Sequence, residues 1–400
     1  MMNTKTDLAC PRMLNRRSFL LHTMAGAGAT AAWALAHGQQ SPAPLATTGF
    51  DPEELRAMRE TAAAFMKKHA VPGLSVAIAK KGRLVYAEGF GLADKERNEQ
   101  VTPNHLFRIA SVSKPLTSVA IFRLFESGKL SLSDKVFGPK GVLGTTCGEP
   151  PYLEHVEEIT IEHLLTHTAG GWQNDASDPM FSHPAMDHQQ LISWTIAHQA
   201  LKHPPGERYA YSNFGFCILG RVIEKLSGQS YEKHLCENVL APCGISRMRI
   251  SGNTRAERAP DEVAYYDKNS EAPYRMNVRR MDSHGGWLAT PTDLVRFLVR
   301  VDGFPTKPDL LKPESIKLMT TPSSAAAGYA KGWCVNQQHN WWHMGSLPGT
   351  TTVMVRTSHQ FCWAALTNTR NPKSSIDADL DHLTWDMIGK VNTWPEGDLF

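Results

Sequence analysis

The sequence lacks the features that mark several classes of protein. Its 400 residues contain no internal repeat and no low-complexity tract, and 42% hydrophobic with 20% charged residues is the composition of a globular protein. No Cys-x-x-Cys pair occurs, which argues against a zinc ribbon or a thioredoxin-like redox site. After the first 36 residues, no stretch is long and apolar enough to cross a bilayer.

A surplus of basic charge is also missing from the body of the chain. The formal charge of +3 comes from the first 36 residues, which hold four of the 42 basic and one of the 39 acidic side chains, so that 38 of each remain. Binding to the phosphate backbone of nucleic acid requires clustered Lys and Arg. We therefore predict no nucleic-acid partner.

The N-terminus carries an export pattern. Arg16-Arg17 is followed by Ser18-Phe19-Leu20 and then by a mildly apolar run, rich in Ala and Gly, that ends at Ala36. The pattern resembles a twin-arginine signal peptide over residues 1–36, which predicts export by the twin-arginine machinery, cleavage near Ala36 and a periplasmic protein without stable membrane insertion. A cytosolic protein with an N-terminal anchor helix is the alternative interpretation.

Six cysteines remain once the signal is removed. Because twin-arginine substrates are generally exported already folded, we expect most of these thiols to be small, buried apolar groups. Their positions are Cys147, Cys217, Cys236, Cys243, Cys334 and Cys362.

A polar linker and one large domain are predicted after the signal. The Pro-containing residues 37–50 form the linker, and the domain covers 51–400. Asp51 is expected to cap the first helix, with Pro52 at its first position and Glu54 completing a capping box.

Strand patterns occur at both ends of the domain, with helix patterns between them. A hairpin is predicted around Lys81-Gly82, and the full set of predicted strands is 74–80, 84–90, 329–335, 341–343, 351–356 and 361–367. Helices are predicted at 213–226, from Thr290 onward and at 376–387.

This order of elements predicts an α/β (α+β) fold. One antiparallel sheet would be built from the N- and C-terminal segments and flanked by helices, with a mainly helical lobe inserted at roughly 115–290. A cleft is expected between the sheet and the lobe.

A serine and a lysine stand one helical turn apart at a predicted helix start. Ser111 and Lys114 occupy positions i and i+3, which brings both side chains to one face. A serine hydroxyl needs a base to become a nucleophile, and lysine can be that base when burial lowers its pKa. Because about one such pair is expected by chance in a chain of this length, the spacing alone favours an incidental Ser and Lys on a helix surface.

Two further motifs follow in order along the chain. Tyr211-Ser212-Asn213 and His343-Met344-Gly345 each stand beside a predicted element boundary. Taken alone, Tyr211 is better explained by packing in the core, and packing beside Trp341-Trp342 is an alternative explanation for His343.

Together, Ser111-x-x-Lys114 and these motifs resemble the serine β-lactamase and penicillin-binding protein superfamily. The resemblance is strongest to the branch with class C β-lactamases, DD-carboxypeptidases, D-aminopeptidases and related esterases. It runs from about Pro72 to Arg370 and includes Leu164-Leu165-Thr166-His167-Thr168 and Gly285-Gly286-Trp287-Leu288. It implies a β-lactamase/transpeptidase-like fold, no cofactor, and a small ester, amide, D-amino-acid peptide or β-lactam as substrate.

The resemblance also implies a role for each residue. Ser111 attacks an acyl carbon and Lys114 takes its proton, while Tyr211 and Lys114 shuttle protons to the leaving group and activate the deacylating water. The backbone amides of Ser111 and Ser346 form the oxyanion hole. The implied substrate-binding residues are Asn213, His343, Gly345 and Ser346.

His343 departs from the lysine that class C β-lactamases usually carry there. A histidine offers a substrate carboxylate a weaker, titratable charge. The departure favours peptidase, amidase or esterase activity over efficient β-lactamase activity. The Ser-Asp-Asn and Glu-x-x-Leu-Asn elements of class A enzymes are also missing.

Two rival patterns are weaker. His163 and His167 have an i, i+4 spacing that can bind zinc on a helix, but no third ligand follows at an obvious position, and we predict no metal site. The run around Ser346 is not a Gly-x-Ser-x-Gly nucleophile elbow, because Met344 occupies the first glycine position.

The sequence therefore predicts a serine hydrolase that cleaves an ester, amide or β-lactam bond through an acyl-Ser111 intermediate. The alternative is a β-lactam-recognising sensor or scaffold that acylates or binds without turnover. The presence of Tyr211 argues against this alternative, since a trap needs no deacylation base.

Overall fold

A computed structural model describes residues 49–400, so the predicted signal peptide and almost all of the predicted linker lie outside the described residues. Within the described range the chain forms ten α-helices and ten β-strands. The helices are α1 Pro52–His69, α2 Ser113–Glu126, α3 Ile161–Leu165, α4 Pro179–Ser182, α5 His188–His198, α6 Asn213–Ser227, α7 Tyr231–Leu235, α8 Pro291–Leu298, α9 Pro313–Thr320 and α10 Ile376–Ile388. The strands are β1 Gly73–Lys80, β2 Arg83–Asp94, β3 Glu99–Gln100, β4 Phe107–Arg108, β5 Arg249–Ile250, β6 Trp287–Ala289, β7 Cys334–Val335, β8 Trp341–Leu347, β9 Thr350–Arg356 and β10 Phe361–Thr367.

The main sheet joins the two ends of the domain. Its seven strands lie in the order β3-β2-β1-β10-β9-β8-β7. The N-terminal β1 pairs antiparallel with the C-terminal β10, with Leu74 opposite Thr367 and Lys80 opposite Phe361. This arrangement confirms the predicted antiparallel sheet with a helical insertion.

The two faces of the sheet are covered by different layers. Val76 and Ile78 of β1 pack with α1 and α10, whereas the alternating Ala77 and Ala79 belong to the core that includes α8 and the helical lobe. This alternation follows from the period of two along a strand. β7 pairs with β8 only at Trp341 and Trp342, and beyond them β8 contacts the turn that leads into α2, where the candidate site lies.

Local sequence signals explain most element boundaries. Asp51 accepts hydrogen bonds from the backbone amides of Glu53 and Glu54 at the start of α1. Glu54 does not complete the expected capping box, because its carboxylate accepts from the backbone and side chain of Asn392 instead. Lys81 and Gly82 both have positive φ, 50° and 73°, which suits a tight two-residue turn between β1 and β2.

One predicted strand was wrong, and one small sheet was not predicted. The predicted strand 329–335 is reduced to Cys334–Val335, because Gly332 adopts a φ of 84° and breaks the extended run. The lobe also contains a small sheet in the order β4-β6-β5 that the sequence did not indicate. Its strands have two or three residues, which is too short for a period of two to be visible.

Four of the six cysteines after residue 36 are buried free thiols, as expected from the sequence. Cys147, Cys217, Cys243 and Cys362 are free and buried, and Cys236 is free and half-buried. Over residues 49–400, no helix is long and apolar enough to cross a membrane.

Candidate active site

The turn that carries Ser111 is held in a strained conformation. Ser111 lies in a short 3₁₀ helix, Ala110–Val112, that leads into α2. Ala110 has a φ of 48°, in the left-handed region that alanine rarely adopts. The Ser113 hydroxyl donates to the Ala110 carbonyl at 2.7 Å, and the Thr352 hydroxyl of β9 donates to the Ile109 carbonyl at 2.9 Å. A strained backbone persists only where its surroundings hold it in place, and these two bonds hold the backbone on both sides of Ser111.

Lys114 is fully buried beside Ser111. Its Nζ lies 3.2 Å from Ser111 Oγ, 2.8 Å from Asn213 Oδ1 and 3.1 Å from the His284 carbonyl oxygen. Burial lowers the pKa of Lys114 well below its usual value, and the carboxylate of Asp178 opposes that shift. The arrangement favours an uncharged amine.

The geometry directs the lone pair of that amine toward the serine. A neutral amine has two N–H donors, and the oxygens of Asn213 and His284 are acceptors only. When both donors are used there, the lone pair faces the Ser111 hydroxyl. The contacts thus suit transfer of the Ser111 proton to Lys114.

Tyr211 completes the group around the serine. Its side chain is hydrogen-bonded to that of Ser111, and its ring centroid lies 4.7 Å from Lys114 Nζ. Burial raises the pKa of Tyr211 well above its usual value, and the bond to Ser111 only partly offsets this. Tyr211 is therefore a protonated phenol at neutral pH, able to donate a proton or pass one on.

Asn213 connects Lys114 to a carboxylate that the sequence did not indicate. Asn213 Nδ2 donates to Asp178 Oδ2 at 3.0 Å while its Oδ1 accepts from Lys114. Asp178 is 1% exposed. Burial raises the pKa of Asp178 to about 6. The hydrogen bonds from Asn213 and the Met180 amide, and the interaction with Lys114, lower this pKa but do not cancel the effect of burial.

His343 faces the protein interior. Its Nδ1 is 2.7 Å from the Met344 carbonyl, and its Nε2 is 3.1 Å from the Tyr329 hydroxyl, which is also 3.1 Å from His167 Nε2. Since His343 Nδ1 must donate to a carbonyl, its Nε2 accepts from Tyr329 when the ring is neutral. His167 accepts the Ser212 amide at Nδ1 and therefore donates from Nε2 to Tyr329.

This directional chain requires neutral histidines. Burial lowers the pKa of His343 to about 3. The pKa of His167 is also lowered well below its usual value by burial. The expected titratable charge on His343 near neutral pH is therefore wrong, because the sequence did not reveal how completely the ring is enclosed.

Gly345 allows strand β8 to approach the nucleophile turn. A Cβ on Gly345 would lie 2.4 Å from the Ile109 carbonyl oxygen and 2.9 Å from Ser111 N, so no other residue fits. β8 and β9 are joined by the two-residue loop Pro348-Gly349, which makes Leu347 and Thr350 the hydrogen-bonded pair of the hairpin. The next residue, Ser346, therefore points its amide away from β9, on the same edge as Ser111.

The other candidate histidine has a local structural role. His163 Nδ1 accepts the Thr160 amide and closes the capping box of α3. His167 is instead surrounded by the rings of Tyr209, Tyr211, Phe216 and Tyr329. Among residues 49–400, no group of three or more His, Cys, Asp or Glu side chains is placed to hold a metal ion.

Comparison with known proteins decides the family. The family model described as Beta-lactamase matches residues 58–384, which is most of the chain. The chain belongs to the beta-lactamase family. This confirms the resemblance to the serine β-lactamase and penicillin-binding protein superfamily.

Several known proteins are similar to this chain in sequence or in structure. Penicillin-binding protein 4* of Bacillus subtilis (strain 168) is 28% identical over 316 residues, which cover 72% of this chain and 66% of the relative. The octameric penicillin-binding protein homologue from Pyrococcus abyssi has a TM-score of 0.67 at 26% identity, covering 83% of this chain and 77% of that chain. The D-amino acid amidase from Ochrobactrum anthropi SV3 shares the fold, with a TM-score of 0.70 at 20% identity and coverage of 84% and 98%. The chain spans 59% to 66% of the length of the first curated relatives that it matches.

Proposed function

We propose that this chain hydrolyses an ester or amide bond through a covalent acyl-Ser111 intermediate, as a class C-related serine hydrolase. The observation that carries the proposal is the contact set of Lys114, in which two carbonyl-type acceptors leave the amine lone pair directed at Ser111. A buried, uncharged lysine is one of the few side chains able to deprotonate a serine at neutral pH.

The proposed reaction uses the three side chains in sequence. Ser111 Oγ attacks the acyl carbon as its proton moves to Lys114 Nζ, and the negative charge on the acyl oxygen is stabilised by the amides of Ser111 and Ser346. The ammonium of Lys114 returns the proton to the leaving group through the Tyr211 hydroxyl, which breaks the bond to the leaving group. Water then attacks the acyl carbon as one of its protons passes through the Tyr211 hydroxyl to Lys114 Nζ. The bond between the acyl carbon and Ser111 Oγ breaks, Lys114 returns the proton to Ser111 Oγ, and the acid product is released.

The charges around Ser111 favour some substrates over others. Lys114 and His343 both have pKa values lowered by burial, so neither offers a fixed positive charge to a substrate carboxylate. A neutral ester, an amide or a D-amino-acid derivative is therefore preferred to a carboxylate-bearing β-lactam. The D-amino acid amidase with the same fold is consistent with this preference.

We also propose that the protein acts in the periplasm after export by the twin-arginine machinery. The support is the Arg16-Arg17 pattern and the apolar run that ends at Ala36. Replacing both arginines with Lys should leave the protein in the cytoplasmic fraction, and unchanged periplasmic recovery would contradict the proposal.

Intact-mass spectrometry with p-nitrophenyl butyrate, nitrocefin and a D-alanyl-D-alanine peptide tests the reaction. We expect the protein to gain a transient acyl adduct with at least one probe and then to turn over, and Ser111→Ala to lose both adduct and turnover by roughly a thousandfold or more. Ser133→Ala, at an exposed serine, is the matched control. Turnover by Ser111→Ala at the unmutated rate would overturn the proposal, and an adduct that never hydrolyses would support the sensor alternative.

A further inference from the structure

Asp178 is a buried carboxylate next to the proposed catalytic group, and the reaction described above assigns it no role. Its Oδ2 accepts from Asn213 Nδ2 at 3.0 Å, and its Oδ1 accepts from the Met180 amide at 2.9 Å, where it caps α4. With 1% of its surface exposed, Asp178 is closed to solvent and acts only through the groups it contacts.

Only a carboxylate satisfies both of these donors. An ionised Asp accepts hydrogen bonds on both oxygens, whereas Asn and Gln present one acceptor and one donor. Because Asp178 requires a donor from Asn213, the Asn213 amide is fixed with Nδ2 toward Asp178 and Oδ1 toward Lys114. If the amide rotated by 180°, its NH₂ group would face the lysine amine and the bond to Lys114 would be lost.

We propose that Asp178 is a positioning residue that fixes the Asn213 amide, and through it the orientation in which the Lys114 amine accepts the Ser111 proton. The inference rests on the proposed function of Ser111 and Lys114. If the Asn213 oxygen no longer accepted a hydrogen bond from Lys114, the amine could rotate about its C–N bond. One of its N–H groups would then point at Ser111, and the lone pair would point away from the serine hydroxyl.

The loop that carries Asp178 is anchored on both sides of the site. The Asn174 amide donates to the Tyr211 carbonyl at 2.7 Å, which ties the loop to the segment that holds the tyrosine and Asn213. On the far side of Asp178, the buried guanidinium of Arg280 donates to the carbonyls of Met180 and Met186 at 2.8 and 2.6 Å. The position of Asp178 is thus set by backbone contacts that do not depend on Lys114.

The charge of Asp178 also acts on Lys114. The Asp178 carboxylate raises the pKa of Lys114 against the larger lowering by burial. Removing that charge should therefore lower the pKa of Lys114 further and move the acid limb of the acylation rate to lower pH. The other charged or titratable groups that interact with Asp178 are Asp175, Cys217, Tyr211 and Arg280.

The test compares Asp178→Asn and Asp178→Ser with the unmutated protein. Serine still caps the α4 amide but cannot also accept from Asn213, so the Ser variant separates the helix cap from positioning. We expect both variants to lower the single-turnover acylation rate with p-nitrophenyl butyrate by about tenfold or more at pH 8. We expect the acid limb of the pH profile to move to lower pH, with a thermal midpoint for Asp178→Ser close to that of the unmutated protein. Equal rates, or an unmoved acid limb, would overturn the inference.

A double-mutant cycle tests whether Asp178 acts through Asn213. If it does, adding Asp178→Ser to the Asn213→Ala variant should not lower the acylation rate any further. If the two residues act independently, the fold-losses in acylation rate of the two single variants should multiply in the double variant. Multiplied effects would overturn the inference. Ser111→Ala is measured alongside: continued acylation of that variant overturns the proposed function itself, whereas normal acylation by the Asp178 variants overturns only the inference about Asp178.

Discussion

Lys114 and Lys331 are both buried, with 0% and 3% of their surface exposed, yet their surroundings differ. Lys331 Nζ lies 3.0 Å from the carboxylate of Glu162. Lys114 Nζ contacts the oxygens of Asn213, His284 and Ser111, none of which carries a charge. The backbones of the two lysines lie near each other, since a Cβ built on Gly332, the neighbour of Lys331, would lie 3.4 Å from the Lys114 carbonyl oxygen.

The comparison shows that burial alone does not make a lysine into a base. Removing an ammonium group from water costs free energy, and a nearby carboxylate offsets that cost by stabilising the charged form. Lys331 has such a counter-charge in direct contact. Lys114 contacts only neutral acceptors, because the Asn213 side chain lies between its amine and the Asp178 carboxylate. The neutral form of Lys114 is therefore favoured.

Replacing each lysine with Met gives the largest expected difference. Lys114→Met should lower kcat/KM by about a thousandfold, because no other group accepts the Ser111 proton. Lys331→Met should change kcat/KM by less than about threefold, because Lys331 contacts none of the proposed catalytic residues. The measurement is steady-state hydrolysis of p-nitrophenyl butyrate at pH 8. A loss of similar size in both variants would show that the structure around α2, rather than the Lys114 amine, limits the rate.

Asn213→Asp should make Lys114 resemble Lys331. The new carboxylate would share a proton with Asp178 at a distance of 3.0 Å, which leaves one negative charge next to the lysine. The pKa of Lys114 should rise, the acid limb of kcat/KM should move to higher pH, and the rate at pH 7 should fall by about tenfold. Glu162→Gln is the control, since it alters only the other lysine's partner. If the acid limb of kcat/KM did not move, the limb would not report the titration of Lys114.

Parts of the site could be predicted from sequence because they are set by local geometry. The i, i+3 spacing of Ser111 and Lys114 at a helix start places them together whatever the rest of the chain does. The hairpin at Lys81-Gly82 and the helix capped by Thr290 are also specified locally, and both formed as predicted. The antiparallel sheet followed from the order of these elements.

Other parts depend on tertiary contacts that leave no trace in the sequence pattern. Asp178 lies in a loop without periodicity, and its Asp-Pro pair reads only as a helix cap. Its partner Asn213 is 35 residues away, so the bond between them was not foreseeable. In the same way, the contact between His343 Nε2 and the Tyr329 hydroxyl was not foreseeable, because Tyr329 lay in a segment predicted to be a strand.

The smallest expected effect concerns stability, and its sign also separates the two lysines. The pKa of Lys114 is lower in the folded protein than in the unfolded chain, so at pH 7 the unfolded chain binds one more proton at this amine. Lys114 therefore lowers the free energy of unfolding at pH 7. This loss disappears as the pH rises toward 10.5, the pKa of the lysine in the unfolded chain. Lys114→Met removes that cost and should raise the free energy of unfolding at pH 7 by on the order of 1 kcal/mol.

The corresponding change at Lys331 should have the opposite sign. Lys331→Met leaves Glu162 unpaired, but that side chain is 45% exposed and remains hydrated, so the free energy of unfolding should fall by only about 0 to 1 kcal/mol. Urea unfolding at pH 7 and pH 9.5 measures both variants, and the advantage of Lys114→Met should shrink at the higher pH. If Lys114→Met were instead destabilising and independent of pH, the amine would be charged in the folded protein, and its distinction from Lys331 would be lost.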